Sequence, residues 1–333
     1  MTNNTPYTDS AQKGYTVVTG AAGFIASAVA ASLQADHRLV LVDDFARPDK
    51  RPNWEGKQCS LRIDRNEFLP WLEQHASEVG FVIHLGARTD TTEFDWNIFL
   101  ALNLHYSQRI FSLCARHQIP LIYASSAATY GAGEQGYRDD NDLCYSLKPL
   151  NPYGRSKNDF DQWAFRQTAQ PPFWAGLKFF NVYGPNEYHK GRMASVILHT
   201  FETVMLTGSM ALFRSHRPDF EDGMQLRDFI YVKDIVAVIR HLMERRPESG
   251  LYNVGTGRAE SFLELATATF AAMGREPQIS FVDIPEDIRD KYQYFTQADM
   301  SKLRATGFNA PFHTLREGAT DYVKNYLLQH KYL

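Results

Sequence analysis

The chain has 333 residues, 44% hydrophobic and 22% charged, with 35 Lys plus Arg against 38 Asp plus Glu. At about 150 residues per domain this predicts two domains with a sizeable core and excludes a disordered chain. A net charge of -3 gives no global field for nucleic acid or anionic lipid. Three cysteines (Cys59, Cys114, Cys144), with no CxxC or Cys/His spacing, argue against a disulfide scaffold or metal site and predict a cytoplasmic protein.

In chain order, the polar residues 1–13 predict a disordered lead-in. The uncharged run 17–33 is short, rich in Ala, Gly and Ser, and broken at Gly20. It suits a strand followed by a helix better than a membrane span or signal segment. Buried strands are predicted at 15–18, 38–42, 81–85, 121–125 and 174–180, and helical spacing runs between most of them, as over 96–117. That alternation predicts an α/β, doubly wound, Rossmann-like parallel sheet. Beyond Gly184 the rhythm changes, with helical patterns at 193–206, 233–244 and 261–273 between short strand-like pieces. The expected division is 14–180, mainly a dinucleotide-binding domain, and 181–330, mainly a smaller, partly interleaved substrate domain with segments returning to the first.

The turn Thr19-Gly20-Ala21-Ala22-Gly23 follows the first predicted strand and opens a helix. Gly20 allows the tight turn, and Gly23 lets backbone N–H groups approach a pyrophosphate at the helix N-terminus. Asp43 closes the next strand, placed to meet ribose hydroxyls, although a helix N-cap would look the same. Beyond it, Arg47, Lys50 and Arg51 offer partners for the 2′-phosphate of NADP, or form a solvated basic loop.

Tyr153 and Lys157 are spaced i, i+4 and share one helix face, after a strand end carrying Ser125-Ser126. Free tyrosine titrates near about 10. An ammonium about 4 Å away interacts by about 4 kcal/mol at an effective dielectric near 20, which would bring a tyrosinate within reach of neutrality.

These residues resemble the extended short-chain dehydrogenase/reductase superfamily of NAD-dependent epimerases and dehydratases. More closely they are similar to its ADP-L-glycero-D-manno-heptose 6-epimerase family, from about Gly14 to Tyr322. The stretches TTEFD (91–95), YASSAATYG (123–131), NPYGRSK (151–157), KFFNVYGPNEYHKGRMASV (178–196), RDFIYVKDIV (227–236), YNVGTGRAESF (252–262) and YQYFTQAD (292–299) carry the likeness. It implies inversion of C6″ of ADP-D-glycero-D-manno-heptose, by oxidation to a transient carbonyl and hydride return, for the lipopolysaccharide inner core. It implies a tightly bound NADP, with NAD open, and a homo-oligomer; neither nucleic acid nor membrane is expected as a partner.

By position, the resemblance makes Tyr153 one acid/base, Lys157 its cofactor-anchoring partner, Ser126 the substrate-orienting serine and Lys190 the second acid/base. It places Gly20, Gly23, Phe24, Ile25, Asp43, Asp44, Lys50, Arg65, Leu85, Gly86, Ala87, Arg88, Thr89, Asn103, Lys157 and Val182 around the cofactor. It places Ser126, Asn181, Arg192, His199, Phe213, Arg227 and Tyr292 around the nucleotide-sugar, with Arg227 as a diphosphate clamp; His199 and Phe213 also fit core or rim positions. Asp44, Arg88 and Arg192 depart from the family pattern, as does a longer stretch at 215–226. The alternatives are another nucleotide-sugar epimerase (UDP or GDP), a 4,6-dehydratase, or a non-catalytic dinucleotide-binding scaffold. Ala127 and Ala128, where a dehydratase carries an acid, count against the dehydratase, and the intact Tyr153, Lys157 and Ser126 against the scaffold.

Overall fold

The structure is a computed structural model that describes residues 14–289 and 292–333; the lead-in expected at 1–13 lies outside the described residues. In chain order the strands are β1 (Tyr15–Thr19), β2 (Arg38–Asp43), β3 (Leu61–Asp64), β4 (Val79–His84), β5 (Leu121–Ser126), β6 (Trp174–Phe179), β7 (Asn181–Tyr183), β8 (Met210–Phe213), β9 (Leu226–Tyr231), β10 (Gly250–Val254), β11 (Ala259–Ser261) and β12 (Ile279–Val282). Seven of them form an all-parallel sheet in the order β10-β6-β5-β4-β1-β2-β3, the doubly wound architecture expected. The strand order reverses between β1 and β4, so the crevice at their carboxyl ends is where this architecture binds ligands.

The central strands bury both faces, and Val17, Val18, Val40, Leu41, Val82 and Ile83 are all fully buried, which explains their unbroken apolar runs. β3 was not predicted. Its sequence LRID is half polar because it is the sheet edge, with Leu61 and Arg62 exposed. One face of the sheet packs against the helices Phe24–Leu33 and Val232–Arg245, the other against Arg65–Gln74, Tyr106–Arg116 and Pro152–Phe165.

The helical pattern at 96–117 forms as three joined pieces: Trp96–Phe99, a π-turn at Leu100–His105, and Tyr106–Arg116. Such widened turns often mark functional positions, and this one carries the buried Asn103. The later patterns become the helices Val196–Thr207, Val232–Arg245 and Phe262–Ala272. Smaller sheets, β11-β9-β7 and β12-β8, lie among them. Among the described residues no helix is long and apolar enough to cross a membrane, and no cluster of ligand side chains could hold a metal ion.

Candidate active site

The turn after β1 has its shape dictated by backbone contact. Gly20 has φ +72, and a Cβ there would meet the Gly86 Cα at 2.6 Å, so only glycine lets the turn press against the loop after β4. Gly23 N-caps the helix Phe24–Leu33 without a side-chain bond. The first N–H groups and the positive end of the helix are therefore left for an anion. Asp43, at the end of β2, is buried, and its oxygens accept from the Ala22 N–H at 2.9 Å and the Asp44 N–H at 2.7 Å. It therefore caps the glycine turn rather than starting a helix. Lys50 Nζ lies 3.8 Å from Asp43, and Arg65 lies 3.8 Å from Asp44. Of the basic loop, Lys50 stands nearest this corner; Arg47 pairs with Asp49 and still feels the Asp43 and Asp44 carboxylates, while Arg51 pairs with Glu55. A glycine cradle, a bare helix N-terminus and a strand-end carboxylate together fit a dinucleotide.

The loop after β4 runs beside this cradle. The Gly86 N–H donates to Thr19 Oγ1 at 3.3 Å, and Arg88 and Asn103 exchange hydrogen bonds of 2.8 and 2.9 Å. Asn103 also donates to Ser156 at 3.0 Å, whose hydroxyl donates to the Tyr153 carbonyl at 2.7 Å. This chain ties the loop to the helix Pro152–Phe165.

That helix starts at Pro152: Asn151 caps it by accepting from the Gly154 N–H at 2.8 Å, and Pro152 occupies the first position. A Cβ at Gly154 would sit 2.7 Å from the Ala128 carbonyl oxygen, so glycine brings Tyr153 up against the turn after Ser126. Burial raises the Tyr153 hydroxyl above its usual value; a hydrogen bond with Ser126 pulls it down and the Asp161 carboxylate pushes it up. The net direction is opposite to the lowering expected from Lys157. Burial is the largest cause, and the buried Lys157 ammonium donates to the Ala124 carbonyl at 2.8 Å instead. Burial lowers Lys157 to about 8, against the opposing pull of Asp161.

Lys190 lies in the short helical segment Tyr188–Met193, half-buried, with Nζ 5.1 Å from the centre of the Phe24 ring. Burial lowers its ammonium and the Glu187 carboxylate raises it. Two residues on, Arg192 approaches Asp90 at 3.8 Å, and Arg88 binds the same carboxylate at 3.3 Å and Glu93 at 3.4 Å. The two arginines that depart from the family pattern thus share one acid, linking the Lys190 segment to the loop after β4.

A third group forms around Arg227, which is buried and whose charge burial disfavours. Its guanidinium sits 5.5 Å from the Tyr292 ring and 5.6 Å from Phe262, and Phe213 packs edge-on against Tyr292 at 5.8 Å. Arg227 donates to the Leu226 and Gln293 carbonyls, so part of its fork is already engaged. The longer stretch 215–226 is folded on itself by Asp222, which accepts from the Ser215 N–H, and by an Arg217–Asp219 pair. Among the described residues, no side-chain bond joins the exposed Asn181 and Thr89 or the half-buried His199 to these three groups. Ile25 and Val182 are partly buried against the core; Leu85 and Ala87 are half-buried.

Three residues at the site went unnoticed in the sequence. His84, buried at the end of β4, bridges Thr19 Oγ1 at 2.6 Å and Ser107 at 2.9 Å; burial, helped by the Lys157 charge, lowers it to about 3. Asp161 and Lys178 form a buried pair beside Ser125. A charged residue inside the apolar run of β6 was the one available signal for that pair.

Comparison with known proteins bears on this geometry. The profile of the NAD dependent epimerase/dehydratase family matches residues 16–255. An ADP-L-glycero-D-manno-heptose-6-epimerase of Fusobacterium nucleatum is 44% identical, over 93% of this chain and 97% of that protein. One of Nitratidesulfovibrio vulgaris is 45% identical over the same shares. The solved structure of the Helicobacter pylori ADP-L-glycero-D-manno-heptose-6-epimerase superposes with a TM-score of 0.80 at 26% identity, covering 96% of this chain and 97% of that one. The UDP-glucose 4-epimerase of Thermus thermophilus, solved with NAD, gives a TM-score of 0.74 at 25% identity, covering 93% of this chain and 97% of its own. The chain therefore belongs to the NAD dependent epimerase/dehydratase family and, within it, to the ADP-L-glycero-D-manno-heptose-6-epimerases, which makes it an isomerase.

Proposed function

We propose that this site inverts C6″ of ADP-D-glycero-D-manno-heptose, with Tyr153 and Lys190 as the two proton-transfer groups. What supports the reading is that two titratable groups shifted by burial lie on separate elements, Tyr153 against Ser126 and Lys190 over Phe24 at the start of the helix that follows the glycine turn. The two alcohol stereoisomers present their hydroxyl protons on opposite sides, so one group on each side serves both directions. Tyr153, raised by burial, holds its proton until the substrate oxygen takes it, and Ser126 orients that oxygen. Lys190, lowered by burial, is neutral more readily than a solvated lysine, so it can accept the substrate hydroxyl's proton as the hydride leaves, while Tyr153 gives its proton to the carbonyl oxygen as the hydride returns. Arg227 and Tyr292 would hold the nucleotide's diphosphate and base end.

When bound, a nicotinamide dinucleotide would supply the reversible hydride acceptor for C6″. The Gly20–Gly23 turn, Asp43, Asn103 and Lys157 would hold it. NADP is preferred because Lys50 and Arg65 stand at the Asp43–Asp44 corner as partners for a 2′-phosphate; Asp44 would repel that phosphate, so NAD stays the alternative. The family resemblance further supports a homo-oligomer supplying heptose for the lipopolysaccharide inner core; the sparse cysteines support a cytoplasmic protein, and the change of rhythm beyond Gly184 a division of the chain near residue 180 with segments returning to the first domain.

Turnover in deuterium oxide tests the hydride return. The product should carry no deuterium at C6″, and incorporation there would contradict it. Mass spectrometry of the dinucleotide released on denaturation should find NADP; NAD alone would overturn that preference.

A further inference from the structure

Behind Ser126 lies an ion pair that the reaction described above does not use. Lys178 on β6 and Asp161 on the helix Pro152–Phe165 are 1% and 0% exposed, with Nζ 3.1 Å from the carboxylate. Asp161 accepts from the Ser125 hydroxyl at 2.6 Å and from Tyr123 at 2.9 Å. Lys178 donates to Thr129 Oγ1 at 2.7 Å, and its Nζ stands 5.0 Å from the Tyr130 ring centre. The Thr129 hydroxyl in turn donates to the Ser126 carbonyl at 2.8 Å. Ser126 is therefore held from both sides: through its neighbour Ser125 by Asp161, and through its own carbonyl by Thr129 and Lys178.

An ion pair at this depth is an expensive way to fill space, because desolvation of two charges often exceeds their attraction and apolar residues of similar volume pack as well or better. What the pair provides that apolar residues cannot is a set of directed bonds to one short turn. That turn carries the hydroxyl paired with Tyr153, and Asp161 sits one helical turn beyond Lys157, on the same helix as Tyr153. We propose that the Lys178–Asp161 pair is a positioning device for Ser126, acting through Ser125 and Thr129 to fix its hydroxyl against Tyr153 and the substrate oxygen. The inference rests on the reading of Ser126 as the substrate-orienting serine.

Removing either charge alone strands the other in the core and endangers folding, so the test cuts the two arms instead. Thr129→Val and Ser125→Ala keep the volume nearly unchanged and leave both charges in place. Each should lower kcat about 10-fold, the scale of a mispositioned catalytic group, with KM within about twofold, in a variant that is less stable but still folded at the assay temperature and still holds its dinucleotide. In a Ser126→Ala background neither substitution should lower kcat further, because the group they position is gone. Unchanged kcat in both single variants overturns the proposal. So does an undiminished further loss in the Ser126→Ala background, which would mean the arms act elsewhere. If Ser126→Ala itself turns over normally, the reading of Ser126 fails, and that outcome is separate from normal turnover in the arm variants alone.

Discussion

In the proposed reaction Tyr153 and Lys190 would divide the proton chemistry, since burial moves them in opposite directions, the phenol up and the ammonium down. Tyr153→Phe should therefore lower kcat by about 10² to 10⁴, the usual weight of a general acid or base, while the purified variant keeps its dinucleotide. Near-normal turnover would remove Tyr153 from the reaction, and the same measurement on Lys190→Ala decides its role. His84 offers a prediction about stability. In the fold its imidazole stays neutral down to about 3, whereas an unfolded chain protonates it near 6.5. Between those values the unfolded state binds one more proton, so stability falls as the pH falls through that window. In His84→Gln the slope of unfolding free energy against pH should shrink by about 1.4 kcal/mol per unit there. Urea titrations at several pH values read this directly, and an unchanged slope would mean that His84 is protonated in the fold.

At the scale of elements, the glycine turn and the helix Pro152–Phe165 do the placing. Gly20→Ala puts a Cβ 2.6 Å from the Gly86 backbone at a positive φ. The strain is about 1 kcal/mol or more. The variant should fold and emerge from purification with little bound dinucleotide, as read from the absorbance of the denatured supernatant; a full load would show that the turn does not hold the cofactor. These elements were legible in the sequence because their signals are local: a glycine turn after an apolar run, and an i, i+4 pair. The orientation of Lys157 was not legible. Spacing put it on the Tyr153 face, but its Nζ bonds the Ala124 carbonyl, a partner contributed by a strand 33 residues earlier. The Lys178–Asp161 pair escaped notice for the same reason, since its partners come from β5, β6 and a helix. β3 was missed because an edge strand shows its polar side.

For the whole molecule, the large sheet is not a product of the N-terminal half alone. β10 pairs with β6 along its full length, and the helix Val232–Arg245 packs on Phe24–Leu33, where Arg240 donates to the Ser32 carbonyl at 3.0 Å. Asn253 on β10 accepts from the Tyr130 hydroxyl at 2.7 Å and donates to the Tyr137 carbonyl at 2.8 Å, locking the turn after Ser126 from the far side. A fragment of residues 14–180 should therefore lack a cooperative thermal transition, because β6 would lose its neighbour and the helix its cover. A sharp calorimetric transition in that fragment would show that the first half folds by itself. The change of rhythm beyond Gly184 was visible in the sequence, but the return of residues 250–254 to the sheet edge required the long-range pairing that only the fold supplies.

The account stands most directly on one assay: purified protein with ADP-D-glycero-D-manno-heptose and no added cofactor, followed by chromatography. Appearance of the L-glycero epimer is the predicted result and would establish substrate, reaction and a retained dinucleotide together. No conversion by protein shown to carry its dinucleotide would contradict it, and the Arg88–Asp90–Arg192 link and the 215–226 stretch would then be where the substrate differs.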